Sequence, residues 1–168
     1  MEKAAVIRIG AATEVELKEE KRKVEDALSV MRAAEEEGVV PGGGAAYVDA
    51  IPSVEAYMAG LSGDEKVGAQ ILWEALKAPL RQIAENAGFD GGVAIAEVLR
   101  RGNGTGLDVR SGAYVSMLEA GVTDSAKVVK LALENAASMA AALLTTEIDV
   151  IDPHDEAWLQ AHGGSALY

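Results

Sequence analysis

The sequence predicts a mainly α-helical bundle with one short β-strand near each end. The 168 residues are 49% hydrophobic but only 4% aromatic, and alanine carries much of the apolar content. Small apolar side chains favour closely packed helices over a sheet-rich core. Apolar residues recur at helical spacing along most of the chain, whereas the strand patterns are confined to residues 4–9 and 145–151.

The first predicted elements are a strand over Ala4–Ile9 and a long helix. Thr13 and Glu16 have the spacing of a capping box, apolar residues recur up to Met31, and Gly38 ends the run. About 25 helical residues would span about 37 Å. The first half of this helix is highly charged, which indicates that it leaves the core and connects two bodies.

The middle of the chain is predicted to be helical, with interruptions at proline and glycine. Pro41–Gly44 forms a break, and prolines within a helical pattern bend or kink it. The predicted helices cover Ala45–Ala59 with a bend at Pro52, Asp64–Ala87 with a kink at Pro79, and Gly92–Arg101.

The last third is predicted to contain a loop, a long helix and the second strand. Gly102–Gly106 is the loop, and Tyr114–Ala120 has the pattern of one or two helical turns. Asp124 or Ser125 caps a helix that runs to about Leu144 and buries an apolar stripe. The stripe consists of Val128, Leu131, Ala132, Asn135, Met139 and Leu143. Thr145–Ile151 alternates as a strand, and the two end strands pair either with each other or with strands of another chain.

Composition excludes several classes of function. The net charge is −12, from 27 acidic and 15 basic residues, which argues against a nucleic-acid partner. With no cysteine, the chain has neither disulfides nor thiolate metal sites. His154 and His162 lie in a polar tail and do not form a recognisable metal motif. The start lacks the pattern of a signal peptide, so we expect a soluble, cytoplasmic protein.

Several segments together resemble the group I (GroEL/HSP60-type) chaperonins, in the order and near the spacing of that family. The resemblance covers residues 4–150, roughly the C-terminal third of a chaperonin subunit. It is carried by Gly10–Glu16, Val24–Leu28, Glu37–Gly44, Ala78–Ile83, Ala136–Ser138 and Leu144–Glu147.

The resemblance implies a chaperonin equatorial-domain-like helical bundle with short terminal strands. Residues 1–36 would be an intermediate-domain-like strand and connector helix, 37–151 the C-terminal half of an equatorial-like ATP-binding domain, and 152–168 a divergent tail. The family's phosphate loop, Gly-Asp-Gly-Thr-Thr, does not occur in the sequence. The implied protein is a fragment of an ATP-dependent folding chaperonin, with ATP and Mg²⁺ as family cofactors and an ATPase activity that is absent in the isolated chain.

The same resemblance implies the site residues. Asp26 would orient the attacking water in catalysis; by pattern alone it is one more solvated acid on a charged helix. Asp108 occupies a position where the family generally has asparagine, and Leu107 one where it has an aromatic residue, which changes the edge that faces the base. Residues implied to bind the nucleotide are Gly42, Gly43, Asp108, Val109, Arg110, Val122 and Asp124.

Local structure offers alternatives for three of these. The glycines could simply form a turn between helices, and Asp124 could cap the following helix. A second function class, a nucleotide-independent helical interaction or oligomerisation module, therefore stays open. In either class we expect a homo-oligomer, a dimer rather than a ring. Its contacts are expected on the apolar faces of the helices after Asp64 and after Asp124 and on the strand near Ile148 and Val150. Full-length chaperonin subunits or a separate N-terminal half are further possible partners.

Overall fold

The computed structural model describes residues 6–147, and its architecture is mainly α-helical, which confirms the predicted fold class. The helices are α1 (Glu14–Glu37), α2 (Ala45–Asp49), α3 (Ile51–Met58), α4 (Gly63–Ala75), α5 (Ala78–Asn86), α6 (Gly91–Arg101) and α7 (Ala126–Leu144). The strands are β1 (Val39–Pro41), β2 (Thr105–Asp108), β3 (Ala113–Ser116) and β4 (Thr123–Ser125). None of these helices combines the length and the apolar character needed to cross a bilayer.

Helix α1 has the predicted bounds because both of its ends are set locally. The Thr13 side chain accepts a hydrogen bond from the Glu16 amide at 3.2 Å, and the Glu16 carboxylate accepts one from the Thr13 amide at 3.3 Å. Gly38, with φ of 84°, ends the helix. No residue of α1 is buried, which agrees with the highly charged character of its first half. Its last turn is joined to α7 by the ion pairs Glu36–Lys127 and Glu37–Lys130.

Two helices that we predicted as continuous are each divided by a proline. Residues 45–59 form α2 and α3, with Pro52 in the first turn of α3, and residues 64–87 form α4 and α5, with Pro79 in the first turn of α5. Proline lacks the backbone N–H that donates a hydrogen bond in a helix interior. In the first turn that N–H has no acceptor within the helix, so proline is tolerated there. Each proline therefore starts a new helix instead of bending an existing one.

The helical turns predicted over Tyr114–Ala120 are wrong, because that segment begins as a strand. β3 pairs antiparallel with β2, with Leu107 opposite Tyr114 and Gly106 opposite Val115. Aromatic and β-branched residues suit this half-buried hairpin. The predicted loop consequently ends at Gly104, and the segment after β3 is a turn.

A second pair of strands was not predicted at all. β1 pairs antiparallel with β4, with Val40 opposite Asp124, and the Ala126 amide donates to the Gly38 carbonyl at 3.0 Å. Strands of three residues are too short to show an alternating pattern in the sequence. This pair fixes the start of α7 beside the end of α1. The predicted cap by Ser125 is not formed, since its buried Oγ has no hydrogen-bond partner within residues 6–147.

The core lies where α2, α5 and α6 meet the β2–β3 hairpin. Leu80 and Ala84 of α5 are fully buried, as are Ala45 of α2 and Ala94 of α6. The small residues allow close approach of these helices, as the composition predicted. The other buried apolar residues are Val48, Ile51, Leu76, Ile95, Val98, Leu107 and Met117.

The strands predicted near the two ends of the chain are not formed in the described residues. Val6–Ile9 form no strand, and Val6 is 83% exposed, so this prediction is wrong for the described part of the segment. A strand needs a partner to satisfy its backbone. The strand predicted to begin at Thr145 is also wrong for its described part, because the chain over Thr145–Glu147 makes a turn and a bend. Ile148–Ile151 and the tail 152–168, including the two histidines, lie outside the described residues.

The chain divides into two compact units, residues 1–132 and 133–168. The described part of the second unit is the C-terminal part of α7 and a turn, in which the Thr145 and Thr146 hydroxyls donate to the Ala142 carbonyl at 3.0 and 2.8 Å. The stripe that we predicted to be buried along α7 is exposed: Met139 by 64% and Leu143 by 68%. Helical periodicity identified an apolar face, but the described residues 6–147 leave it exposed.

Candidate functional site

A cleft of about 440 Å³ brings together chain segments that are far apart in the sequence. The glycine loop after β1, the tip of the β2–β3 hairpin and the turn before β4 each contribute to it. Five of the seven residues predicted to bind a nucleotide line this cleft: Gly43, Asp108, Val109, Arg110 and Val122. The other lining residues are Ile83, Leu107, Met117, Ala120, Gly121 and Thr123.

The glycine loop is fixed against the rest of the chain by close backbone contacts. The Gly42 amide donates to the Val122 carbonyl at 3.0 Å, and a Cβ on Gly42 would lie 3.0 Å from that same oxygen. Gly43 has φ of 65°, and its Cβ would lie 2.9 Å from Met117 Cε. Gly42 therefore lets the loop approach Val122, whereas Gly43 forms part of the wall of the cleft.

The tip of the hairpin is organised by Asp108. Its carboxylate accepts hydrogen bonds from the Ser111 hydroxyl at 2.6 Å and from the Arg110 amide at 3.0 Å. These bonds, the Ser111 one first, lower the pKa of Asp108 below its ordinary value, with a smaller contribution from the Arg110 charge. Asp108 thus presents only acceptor oxygens to the cleft and holds Val109 and Arg110 in place.

Replacing Ser111 by alanine is expected to raise the pKa of Asp108 toward its ordinary value. The folded-state pKa is depressed, so the stabilisation by this carboxylate is present above the unfolded pKa of about 3.9 and is lost as the pH falls through the folded value. A ¹³C NMR titration of the Asp108 carboxyl measures the shift directly. Ser53→Ala, on the exposed side of α3, is the control; an Asp108 pKa that is the same in both variants would contradict the assignment.

The two other predicted binding residues lie outside the lining of the cleft. Gly42 instead lies against the backbone of Val122. Asp124 is exposed on β4, two residues beyond Val122, and its charge raises the pKa of Tyr47 as a second cause after burial. The Tyr47 hydroxyl donates to the Val129 carbonyl at 3.2 Å, which ties α2 to α7 beneath this strand.

Asp26, the predicted catalytic carboxylate, is exposed on α1 and does not line the cleft. It precedes Glu37 by eleven residues, which is about 17 Å along a helix. In this arrangement the carboxylate and the cleft remain separate. A role in chemistry at the cleft would require the connector helix to move relative to the strands.

The lining residues fit one part of a nucleotide better than the other. Val109, Val122 and Ile83 offer apolar surface to a base, and Gly43 allows close approach to a ribose. The lining contains a single cation, Arg110, and one carboxylate, Asp108. This donor set suits the nucleoside end of ATP, and it lacks the cluster of N–H groups and cations that holds a triphosphate with Mg²⁺.

Sequence reasoning missed part of the lining. Ile83 was predicted only as part of the helix Asp64–Ala87, and Met117 as part of the helical turns over Tyr114–Ala120. Met117 is 1% exposed and lies against both Gly43 and Gly106, so that the two glycines mark the space that its side chain fills. A glycine within an apolar alternation was the available signal for such a close approach.

Two comparisons with known proteins both find similarity to chaperonins. The family model described as "TCP-1/cpn60 chaperonin family" matches residues 1–152. A solved structure described as "Crystal structure of group III chaperonin in the open state" is similar, with a TM-score of 0.75 and 37% sequence identity. The similarity covers 84% of this chain and 30% of that chain, so the chain spans less than a third of that chaperonin's length.

Proposed function

Because the chain belongs to the TCP-1/cpn60 chaperonin family, we propose that it is part of an ATP-dependent chaperonin that assists protein folding. Within it, residues 1–36 act as the intermediate-domain-like connector, residues 37–151 as the C-terminal half of an equatorial-like domain, and residues 152–168 as a divergent tail. The cleft between Gly43, the Asp108–Arg110 tip and Val122 is the observation that supports this proposal most directly. Assignment to group I within the family stays a prediction.

In this proposal the chain supplies the nucleoside side of an ATP site. Val122 and Val109 contact the base, Gly43 admits the ribose, and Asp124 bonds its hydroxyls. Asp108 accepts hydrogen bonds, and Arg110 stacks on the base or pairs with a phosphate. ATP bound with Mg²⁺ would supply the phosphoryl-transfer chemistry, whose phosphate cradle comes from sequence that contains Gly-Asp-Gly-Thr-Thr.

Asp26 orients the attacking water in the complete site when the connector helix swings toward the nucleotide. Supporting this, α1 is an exposed helix, and within residues 6–147 its ion pairs to other elements, Glu36–Lys127 and Glu37–Lys130, join its last turn to α7. Exposed pairs of this kind contribute little stability each, so they permit such a movement.

The chain alone is expected to show no ATP turnover and to bind ATP more weakly than about 1 mM, because the groups that contribute most to phosphoryl transfer are absent. Titration calorimetry and phosphate-release assays test both parts. Micromolar affinity, or phosphate release by the isolated chain that Asp26→Ala abolishes, would contradict the proposal.

A complementation assay tests the same proposal in the positive direction. Mixing the chain with a chaperonin segment that carries the phosphate loop is expected to restore ATP binding, and Gly43→Val is expected to abolish it by filling the cleft. Gly63→Val is the matched control, since Gly63 has φ of 59° against 65° at Gly43 but faces open space. Equal loss of binding in both variants would show that the cleft is not the nucleotide site.

A nucleotide-independent interaction module remains the second candidate. It is favoured by the exposed apolar side of α7, where Met139 and Leu143 present large apolar surfaces. We propose that this face mediates self-association, most simply as a two-fold dimer. Chaperonin subunits or a separate N-terminal half would compete for the same face.

A further inference from the structure

The tight turn before β2 contains a dipeptide whose chemistry the candidate site does not use. Asn103 is exposed and is followed by Gly104, which has φ of 79° and no atom near the position of a Cβ. The Thr105 amide donates to the Gly102 carbonyl at 3.3 Å, which closes a turn with glycine at its third position. Asparagine followed by unhindered glycine is the sequence most prone to spontaneous deamidation, because no side chain obstructs the approach of the glycine amide.

The structure restrains the atom that would react. The Gly104 amide donates to Asp49 Oδ2 at 2.9 Å, in a part-buried contact that joins the end of α2 to the turn. The Gly104 carbonyl in turn accepts from the Met117 amide at 2.9 Å. Both sides of Gly104 are therefore held, and the Asn103–Gly104 peptide plane cannot rotate toward the Asn103 side chain without breaking the bond to Asp49.

We propose that Asn103 is a site of spontaneous deamidation and that the Asp49 carboxylate keeps its rate low. In the reaction the Gly104 nitrogen loses its proton to solvent base and attacks Asn103 Cγ. A carbon–nitrogen bond forms, the side-chain nitrogen leaves as ammonia, and a succinimide results. Water then opens the ring at either carbonyl to give aspartate or isoaspartate. No oxidant, metal or enzyme is needed.

Deamidation of Asn103 would affect the cleft, because the turn leads directly into β2. β2 begins at Thr105, directly after the turn, and carries Leu107 and Asp108 into the cleft. Isoaspartate would insert one backbone carbon ahead of this strand, and either product would add a negative charge. This charge would lie on the residue next to Gly104, whose amide Asp49 binds. Deamidation is therefore expected to disturb the hairpin that forms one wall of the cleft.

The test compares deamidation rates in three forms of the folded chain at fixed temperature and mildly alkaline pH. Trypsin releases the peptide Gly102–Arg110, in which mass spectrometry separates asparagine from its two products. Asp49→Ala is expected to accelerate the reaction about 10- to 100-fold, the factor by which one hydrogen bond to a charged acceptor shifts an opening equilibrium. Asp49→Asn, which keeps an acceptor oxygen without the charge, is expected to fall between it and the wild type.

The controls distinguish two causes of faster deamidation, the loss of the Asp49 hydrogen bond and the unfolding of the variant. Circular dichroism checks that each variant is folded, and if Asp49→Ala is not, the comparison rests on Asp49→Asn and on the free peptide Gly102–Arg110. The peptide is expected to react faster than the folded wild type, and Asn86 and Asn135, each followed by alanine, are internal references. Equal rates in the peptide and the folded wild type would overturn the proposal, as would a slower reaction in Asp49→Ala, which would make Asp49 the base that promotes attack.

Discussion

Replacing Gly44 by alanine is expected to destabilise the fold by about 2–5 kcal/mol. A left-handed residue other than glycine costs about 1–2 kcal/mol, and Gly44 has φ of 79°. The added Cβ would also lie 2.7 Å from the Leu80 nitrogen and 2.9 Å from its Cα. These are backbone atoms of α5 beside a fully buried side chain, so they cannot rotate away, and such overpacking costs about 1–3 kcal/mol.

Gly104→Ala is the matched control for this prediction. Gly104 has the same φ of 79°, but nothing lies near the position of its Cβ. Only the conformational cost of about 1–2 kcal/mol is expected there. Urea denaturation of the two variants gives the difference in the free energy of unfolding. Equal losses would mean that the contact between the glycine loop and α5 adds nothing to the loss of unfolding free energy in Gly44→Ala.

The self-association proposed for the apolar face of α7 is expected to be lost when Met139 is replaced by aspartate, which leaves a monomer of 17.4 kDa. Met139 is 64% exposed on the apolar face of α7, so the substitution leaves the core of the chain unchanged. In an interface the new carboxylate would be buried without a partner, which costs several kcal/mol. Light scattering at high protein concentration measures the change in mass.

Ala137→Asp adds the same charge two residues away, about 200° around the helix from Met139. This exposed position is off the apolar face, so association is expected to persist. A wild-type chain that is already monomeric would contradict the proposed interface and would favour a self-contained module. Loss of association in both variants would show that charge, and not the face, is responsible.

About half of the candidate site's lining could be predicted, and the residues show why. Gly43, Asp108, Val109, Arg110 and Val122 were implied, position by position, by the resemblance to the chaperonins. That resemblance implied no site role for Ile83 or Met117. They join the cleft because α5 packs beneath the glycine loop and because β3 directs the chain back toward it. The role of Gly42 was likewise decided by a contact with Val122, a residue far along the chain.

The elements whose ends are set by neighbouring residues could be predicted from local sequence alone. The Thr13–Glu16 capping box and Gly38 define α1, and apolar periodicity defines the long α7. The fold as a whole was needed to show that Val39–Pro41 pairs with Thr123–Ser125, that residues 113–116 form a strand, and that the apolar face of α7 is exposed within residues 6–147. Caps and helical periods depend on residues a few positions apart, whereas strand pairing and burial depend on partners that are distant in the sequence or belong to another chain.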